Sequence, residues 1–98
     1  MIHARQDYNN RIQDSANIIP ATEPVFLLRG QDKLAPQILR EYARLLEIEI
    51  IDATGDLTPE DSILLDTITA HADTMEEWQK NNIAKIADMP ENVSIYNI

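Results

Sequence analysis

The sequence predicts a small, mainly α-helical protein, built as an antiparallel helical hairpin with an extended N-terminal arm and a small two-stranded β patch. Two stretches, 33–51 and 59–80, repeat apolar residues at helical spacing and are separated by a turn around Gly55. Pro20 and Pro24 hold the chain before the first stretch extended, because proline does not fit a helix interior. These observations together favour a hairpin preceded by an arm.

Length and composition indicate one globular domain. The chain has 98 residues, of which 44% are hydrophobic and 26% charged, a composition typical of folded proteins. Within residues 1–98 we predict an arm and extended segment over 1–32, the hairpin over 33–80 and a tail over 81–98. The chain has no cysteine, which excludes disulfides and thiolate metal sites.

The arm begins with a polar stretch whose few apolar residues permit a short helix over 2–13. The prolines that follow lead into Val25–Leu28, which we predict to be a short strand. Its expected partner is a terminal strand over Val93–Ile98, since an isolated strand needs an edge with which to pair.

The first helix of the hairpin is predicted to begin at Lys33, with Asp32 as its N-cap and Pro36 in its first turn. Two neighbouring rows of apolar residues then form one broad face. The rows are Leu34, Ile38, Tyr42 and Leu45, and Ala35, Leu39, Tyr42 and Leu46.

Residues 47–52, with the sequence EIEIID, are compatible with a helix or with a strand. We favour a helix, because the apolar residue at 51 continues the preceding rows. The alternative is a small α/β unit in which PVFLL, EIEII and VSIYN are strands.

The second helix has a clear start at Thr58, an N-cap residue followed by Pro59 and two acidic residues that complement the helix dipole. Its end is predicted near Lys80, before Asn81. The predicted apolar face comprises Leu64, Ile68, His71, Ala72, Met75, Trp78 and Gln79.

The charge is acidic and unevenly distributed. The net charge is −9, and residues 45–98 carry twelve acidic side chains against two lysines, whereas residues 1–44 are nearly balanced. Such a charge argues against nucleic-acid binding, which needs clustered basic residues. The two halves are suited to pairing across an oligomer interface, and the alternative is a solvated acidic helix face.

Catalytic and metal-binding patterns are absent from the sequence. The histidines His3 and His71 lack a nucleophile or a metal-ligand partner at helical spacing, so we predict no enzyme activity, no metal site and no cofactor. The sequence also has no membrane-length apolar run and no secretory signal at its start, so we predict a cytoplasmic protein without a membrane partner.

Two groups of residues are candidates for ligand binding. Arg29, Gly30 and Lys33 lie at a predicted helix start, which favours an anion; the alternative is that the two basic residues pair with acidic neighbours. Arg5, Tyr8 and Arg11 share a predicted helix face suited to stacking and charge recognition, and the alternative is a solvated arm with a docked tyrosine. Both groups suit an anionic small molecule such as a nucleotide. A third group, Tyr42, Met75 and Trp78, is predicted to form an oligomer contact.

The segments HARQDYNNRIQD, IIPATEPVFLLRGQDKLAP, LREYARLL and HADTMEEWQ resemble short uncharacterised proteins encoded by bacteriophages and prophages. The resemblance covers residues 3–80, and the EIEIID and VSIYNI segments depart from it. It implies a phage setting, the host cytoplasm or the virion, in which small acidic proteins often inhibit host systems, sequester molecules or serve as minor particle components.

The sequence therefore predicts a non-enzymatic interaction protein of phage type that forms a homo-oligomer and binds a host or phage protein. The alternative is a protein that binds or sequesters an anionic small molecule such as a nucleotide.

Overall fold

A computed structural model of the chain describes residues 1–82. These residues belong to two compact units, residues 1–28 and residues 29–82. The predicted strand over Val93–Ile98, and the tail beyond residue 82, lie outside the described residues. The units are therefore presented separately.

The first unit contains strand β1 (Ile2–His3), helix α1 (Tyr8–Arg11) and strand β2 (Pro24–Val25). The two strands pair in parallel, with Ile2 opposite Pro24 and His3 opposite Val25. The predicted small β patch is thus present. The strand that pairs with β2 in it is β1, a segment for which the sequence predicted a helix.

The prediction of a helix over 2–13 was wrong except for the single turn of α1. The backbone N–H of Ile2 donates to the carbonyl of Glu23 at 2.9 Å, and that of His3 donates to the Asn9 side chain at 2.9 Å. Pairing across the unit therefore replaces a helix whose apolar stripe was thin.

The second unit is the predicted hairpin, formed by helix α2 (Ala35–Thr54) and helix α3 (Pro59–Lys80). The segment 47–52 is helical, as favoured, and α2 continues to Thr54, three residues beyond the predicted end. Gly55 caps it in a left-handed conformation with φ of 83°. Thr58 caps α3 in a capping box with Asp61. Helix α3 ends where the sequence predicted.

Helix α2 begins two residues later than predicted, and Asp32 is not its N-cap. Leu34 holds that position without a side-chain cap. Asp32 instead stabilises a preceding turn: its side chain accepts from the N–H of Leu34 at 2.8 Å and its carbonyl from that of Ala35 at 3.0 Å. Asp32 is 7% exposed. The turn therefore uses the carboxylate that the sequence assigned to the helix.

The helices of the hairpin pack through small residues. Ala43 of α2 and Ala72 of α3 are buried, and Ala72 is 0% exposed. Larger residues on the same two faces are half-buried; they are Leu39, Leu46, Ile50, Leu65, Ile68 and Met75. Among the described residues no large side chain is fully buried. The hairpin core is consequently thin.

Candidate functional site

The most extensive candidate site is an apolar surface on one side of the hairpin, which we call the open face. The predicted single apolar face of α2 divides into a packed stripe, which includes Ala35 and Ala43, and an exposed stripe. Tyr42 is 57% exposed and Leu45 51% exposed. The open face consists of Leu34, Ile38, Tyr42, Leu45 and Ile48 of the α2 segment, with Leu64, His71 and Trp78 of α3.

Both exposed stripes lie on the same side of the hairpin, because both lie opposite one set of ion pairs. Arg40 of α2 donates to Asp73 at 2.8 Å and to Glu76 at 2.7 Å on α3. At 100° per residue, Ile38 lies about 160° from Arg40 around α2, and Trp78 about 140° from Asp73 around α3. The ion pairs therefore mark the polar side, and the open face is the reverse side.

The polar side also holds an open cavity of about 390 Å³. It is lined mainly by polar and charged side chains of both helices, including Arg44, Glu47, Ser62, Asp66 and Thr69. Arg44 forms an ion pair with Glu41 one turn before it. The ion pairs of Arg40 and Arg44 raise the pKa of both guanidinium groups, through hydrogen bonds to Asp73 and Glu41 respectively. Both cations are thus engaged by carboxylates on their own hairpin.

A second cavity, of about 290 Å³, lies beside the C-terminal half of α3 and borders the open face. Arg29, Gly30 and Gln31 form one wall; His71, Thr74, Met75 and Trp78 form the other. The side-chain amide of Gln79 donates to the carbonyls of Gly30 at 2.8 Å and Asp32 at 2.7 Å, which holds the first wall against the helix. The cavity combines an aromatic and thioether floor with one guanidinium group.

The three ligand candidates of the first unit form a cluster held together by Asp7. Arg5 donates to both carboxylate oxygens of Asp7, at 2.7 and 2.9 Å, and Arg11 donates to it at 2.9 Å. The hydrogen bond from Arg5 is the main reason why the pKa of Asp7 is lowered to about 2. The Arg5 guanidinium also lies 4.2 Å from the centre of the Tyr8 ring. In this structure both arginines therefore pair with a carboxylate of the same unit.

Tyr8 is the buried centre of that cluster, at 2% exposure. Its ring meets the ring of His3 edge-on at 5.8 Å. One ring nitrogen of His3, Nε2, lies 2.9 Å from the carbonyl of Ile12, and the other, Nδ1, is buried without a hydrogen-bond partner. In this structure Tyr8 contributes to the packing of the first unit, and its stacking on a ligand stays a prediction.

The predicted site residues are therefore found in three places. Arg5, Tyr8 and Arg11 form the cluster of the first unit. Arg29 and Gly30 line the second cavity, while Lys33 is exposed and does not line it. Of the predicted interface residues, Tyr42 and Trp78 are exposed on the open face. Met75 lines the second cavity, where its side chain lies 3.6 Å from the position that a Cβ at Gly30 would take.

Sequence reasoning missed most of the open face and the ion pairs of Arg40. The residues of α2 were recognised as apolar and assigned to one broad face, although their rows span more of the helix than one packing partner covers. That excess width was the observation that indicated a second, uncovered stripe.

Other kinds of site are not found in the described part of the chain. Its histidine, aspartate and glutamate side chains form no group of three suited to a metal ion. None of its helices combines the length and the apolar character that crossing a membrane requires.

Fold and site together define a small helical-hairpin protein with one polar side and one apolar side. Comparison with protein-family models, with curated protein sequences and with solved structures found no match for this chain. The phage resemblance of the sequence therefore stays a prediction.

Proposed function

We propose that this chain is a non-enzymatic interaction protein that binds another protein chain through the open face and works as an oligomer. The observation that carries the proposal is the exposed apolar stripe of α2, whose residues are each at least 44% exposed; they are Leu34, Ile38, Tyr42, Leu45 and Ile48. Contiguous apolar surface of this kind is characteristic of protein interfaces. The phage setting implied by the sequence resemblance agrees with such a role.

The structure offers a direct test of this function. The tagged chain, its Leu45→Glu variant and its Thr69→Glu variant are immobilised, and proteins retained from a bacterial lysate that also contains the untagged chain are identified by mass spectrometry. Leu45→Glu places a charge in the open face, and Thr69→Glu places the same charge on the polar side.

We expect one protein, either the untagged chain or another, to be retained by the wild type and Thr69→Glu but lost with Leu45→Glu. Identical retention by all three chains would contradict the proposal. Circular dichroism of each variant shows that it is folded.

The second candidate function is binding of an anionic small molecule that has an aromatic part. The observation that favours it is the second cavity, which is lined by Arg29, Met75 and Trp78. Cationic and aromatic side chains are the usual means of holding a nucleotide-like ligand.

We expect nucleotides to raise the melting temperature of the wild-type chain, and the rise to disappear in Arg29→Ala. Lys33→Ala removes a cation of the same segment that does not line the cavity, so it serves as the matched control. An unchanged melting temperature with nucleotides would exclude this second function.

A further inference from the structure

The open face has the geometry of a surface that pairs with itself. Its exposed stripe on α2 runs from Leu34 to Ile48, centred near residue 41, and its stripe on α3 runs from Leu64 to Trp78, centred at His71. Residue 41 lies 13 residues before the end of α2, and His71 lies 12 residues after the start of α3. The two centres therefore stand at nearly the same height above the hairpin turn.

Equal heights permit a single two-fold axis. An axis perpendicular to the helices at this height places Leu34 opposite Ile48 of a second copy and Leu64 opposite Trp78 of that copy. His71 then faces His71 of the second copy on the axis. Leu34 and Leu64 thus each meet an apolar residue of the second copy, and these contacts are reciprocal, as an isologous interface requires. Glu41, at the centre of the α2 stripe, meets its own copy at the axis.

We infer that the open face binds a second copy of this chain, with the two hairpins face to face and their helices antiparallel across the interface. The product is a four-helix arrangement in which α2 packs on α2 of the second copy and α3 on α3. This inference rests on the proposed function, for which it names the partner.

The size of the open face suits a small interface. The α2 stripe from Leu34 to Ile48 has 15 residues, which rise about 1.5 Å each, so the face is about 22 Å long. Two helices of about 10 Å diameter make it about 20 Å wide. The resulting area, on the order of 450 Å² per partner when flat, is about half of the roughly 800 Å² per partner of a standard protein interface, which corresponds to a weak dimer.

Charge selects the antiparallel arrangement. The half of the hairpin next to the turn, residues 45–69, carries seven acidic side chains and no basic one. The opposite half, residues 29–44 and 70–82, carries five basic and five acidic side chains. A two-fold axis along the helices would bring the two acidic halves together, whereas the perpendicular axis brings each acidic half to a neutral one.

The same arrangement places Leu34 opposite Ile48 of the second copy, and both side chains are exposed within the single chain. This pair provides a point at which the direction of the helices is measurable.

The first test is the mass of the purified full chain, measured by light scattering during gel filtration and by native mass spectrometry. We expect twice the chain mass of 11.2 kDa for the wild type and for Thr69→Glu. Leu45→Glu and Ile38→Glu are expected to weaken the dimer at least 10-fold. A wild-type monomer at 100 μM, or a dimer unaffected by both open-face variants that fold, would overturn the inference.

The second test fixes the direction of the helices by a short bis-maleimide cross-linker. The chain has no cysteine, so each introduced thiol is unique. His71→Cys is expected to cross-link with itself. Leu34→Cys and Ile48→Cys are expected to cross-link when mixed but not separately. Self-linking of either variant without linking in the mixture would overturn the antiparallel arrangement.

Failure of this inference is distinguishable from failure of the proposed function. A monomeric chain that retains a different protein, in a manner abolished by Leu45→Glu, overturns the dimer but supports binding through the open face. A monomeric chain that retains no protein in this manner contradicts both.

Discussion

At the scale of single residues, the hairpin depends on a few side chains that satisfy or shape the ends of its helices. Thr58 accepts a hydrogen bond from the N–H of Asp61 at 3.1 Å, and the Asp61 carboxylate accepts one from the N–H of Thr58 at 3.0 Å. This reciprocal pair satisfies two backbone donors that α3 leaves open.

Replacing Thr58 with alanine is expected to lower the free energy of unfolding of the hairpin by about 1 kcal/mol. Thr67→Ala, in the same helix, is the control: the Thr67 hydroxyl donates only to the carbonyl of Ile63 within α3, and its loss costs a helix little. The measurement is urea unfolding followed by far-ultraviolet circular dichroism. Equal midpoints for the two variants would contradict the role of the capping box.

Gly55 is the second such residue, because its φ of 83° favours glycine at the end of α2. Gly55→Ala is expected to lower stability by about 1 kcal/mol from backbone strain alone, since no atom lies within 4 Å of the added Cβ. Gly30→Ala is the matched control, for its Cβ would make an ordinary contact of 3.6 Å with Met75. Urea midpoints of the two variants should differ accordingly.

Asp7 makes the first unit sensitive to acid. Its pKa is lowered from 3.8 to about 2, mainly by the hydrogen bond from Arg5. A carboxylate whose pKa is lower in the folded than in the unfolded chain stabilises the fold above pH 4 and loses that contribution as the pH falls toward 2.

We therefore expect Asp7→Asn to lose less stability than the wild type between pH 5 and pH 2.5, as measured by urea unfolding followed through the NMR signals of Tyr8. Asp52→Asn, a change to an exposed carboxylate of α2, is the control and should follow the wild type. An equal loss in Asp7→Asn would show that Asp7 does not supply the acid sensitivity.

At the scale of elements, the packing of α2 on α3 depends on small side chains at the contact. Ala72 is 0% exposed and Ala43 6% exposed, and small residues of this kind allow two helices to approach closely. The ion pairs from Arg40 to Asp73 and Glu76 connect the same helices on the polar side, where exposure to solvent keeps their contribution to stability small. Packing rather than charge therefore determines the stability of the pair.

Enlarging Ala72 to leucine is expected to destabilise the hairpin by about 1–3 kcal/mol, since the contact has no space for the added atoms. Ala70→Leu makes the same change two residues earlier at an exposed position of α3, and it should have little effect. Thermal unfolding of both variants provides the comparison. A destabilisation of similar size at both positions would show that the helices are not in close contact at Ala72.

At the scale of the whole molecule, the thin core and the open face predict that stability depends on association. A ligand that binds only the folded chain raises its melting temperature by mass action, and in the proposed dimer the second copy is such a ligand. We expect the melting temperature of the hairpin to rise between 5 and 200 μM chain in the wild type and to stay constant in Leu45→Glu. A constant value in both chains would contradict the association.

The sequence by itself determined the helices of this protein. Thr58 and Pro59 fixed the start of α3, Gly55 the end of α2, and helical spacing the existence of both, because caps, prolines and periodicity act within a few residues of the chain. The cation–tyrosine grouping of Arg5, Tyr8 and Arg11 was likewise visible from spacing, although its role was not.

Only the tertiary structure decided which apolar residues are covered. Leu39 and Ile38 are adjacent in sequence and similar in chemistry, yet the first is half-buried against α3 and the second is exposed. Likewise, the pairing of Ile2–His3 with Pro24–Val25 joins segments about twenty residues apart. Burial and strand pairing both depend on contacts between distant segments of the chain. The contact of α2 with α3 covers one apolar stripe of each helix and leaves the open face exposed.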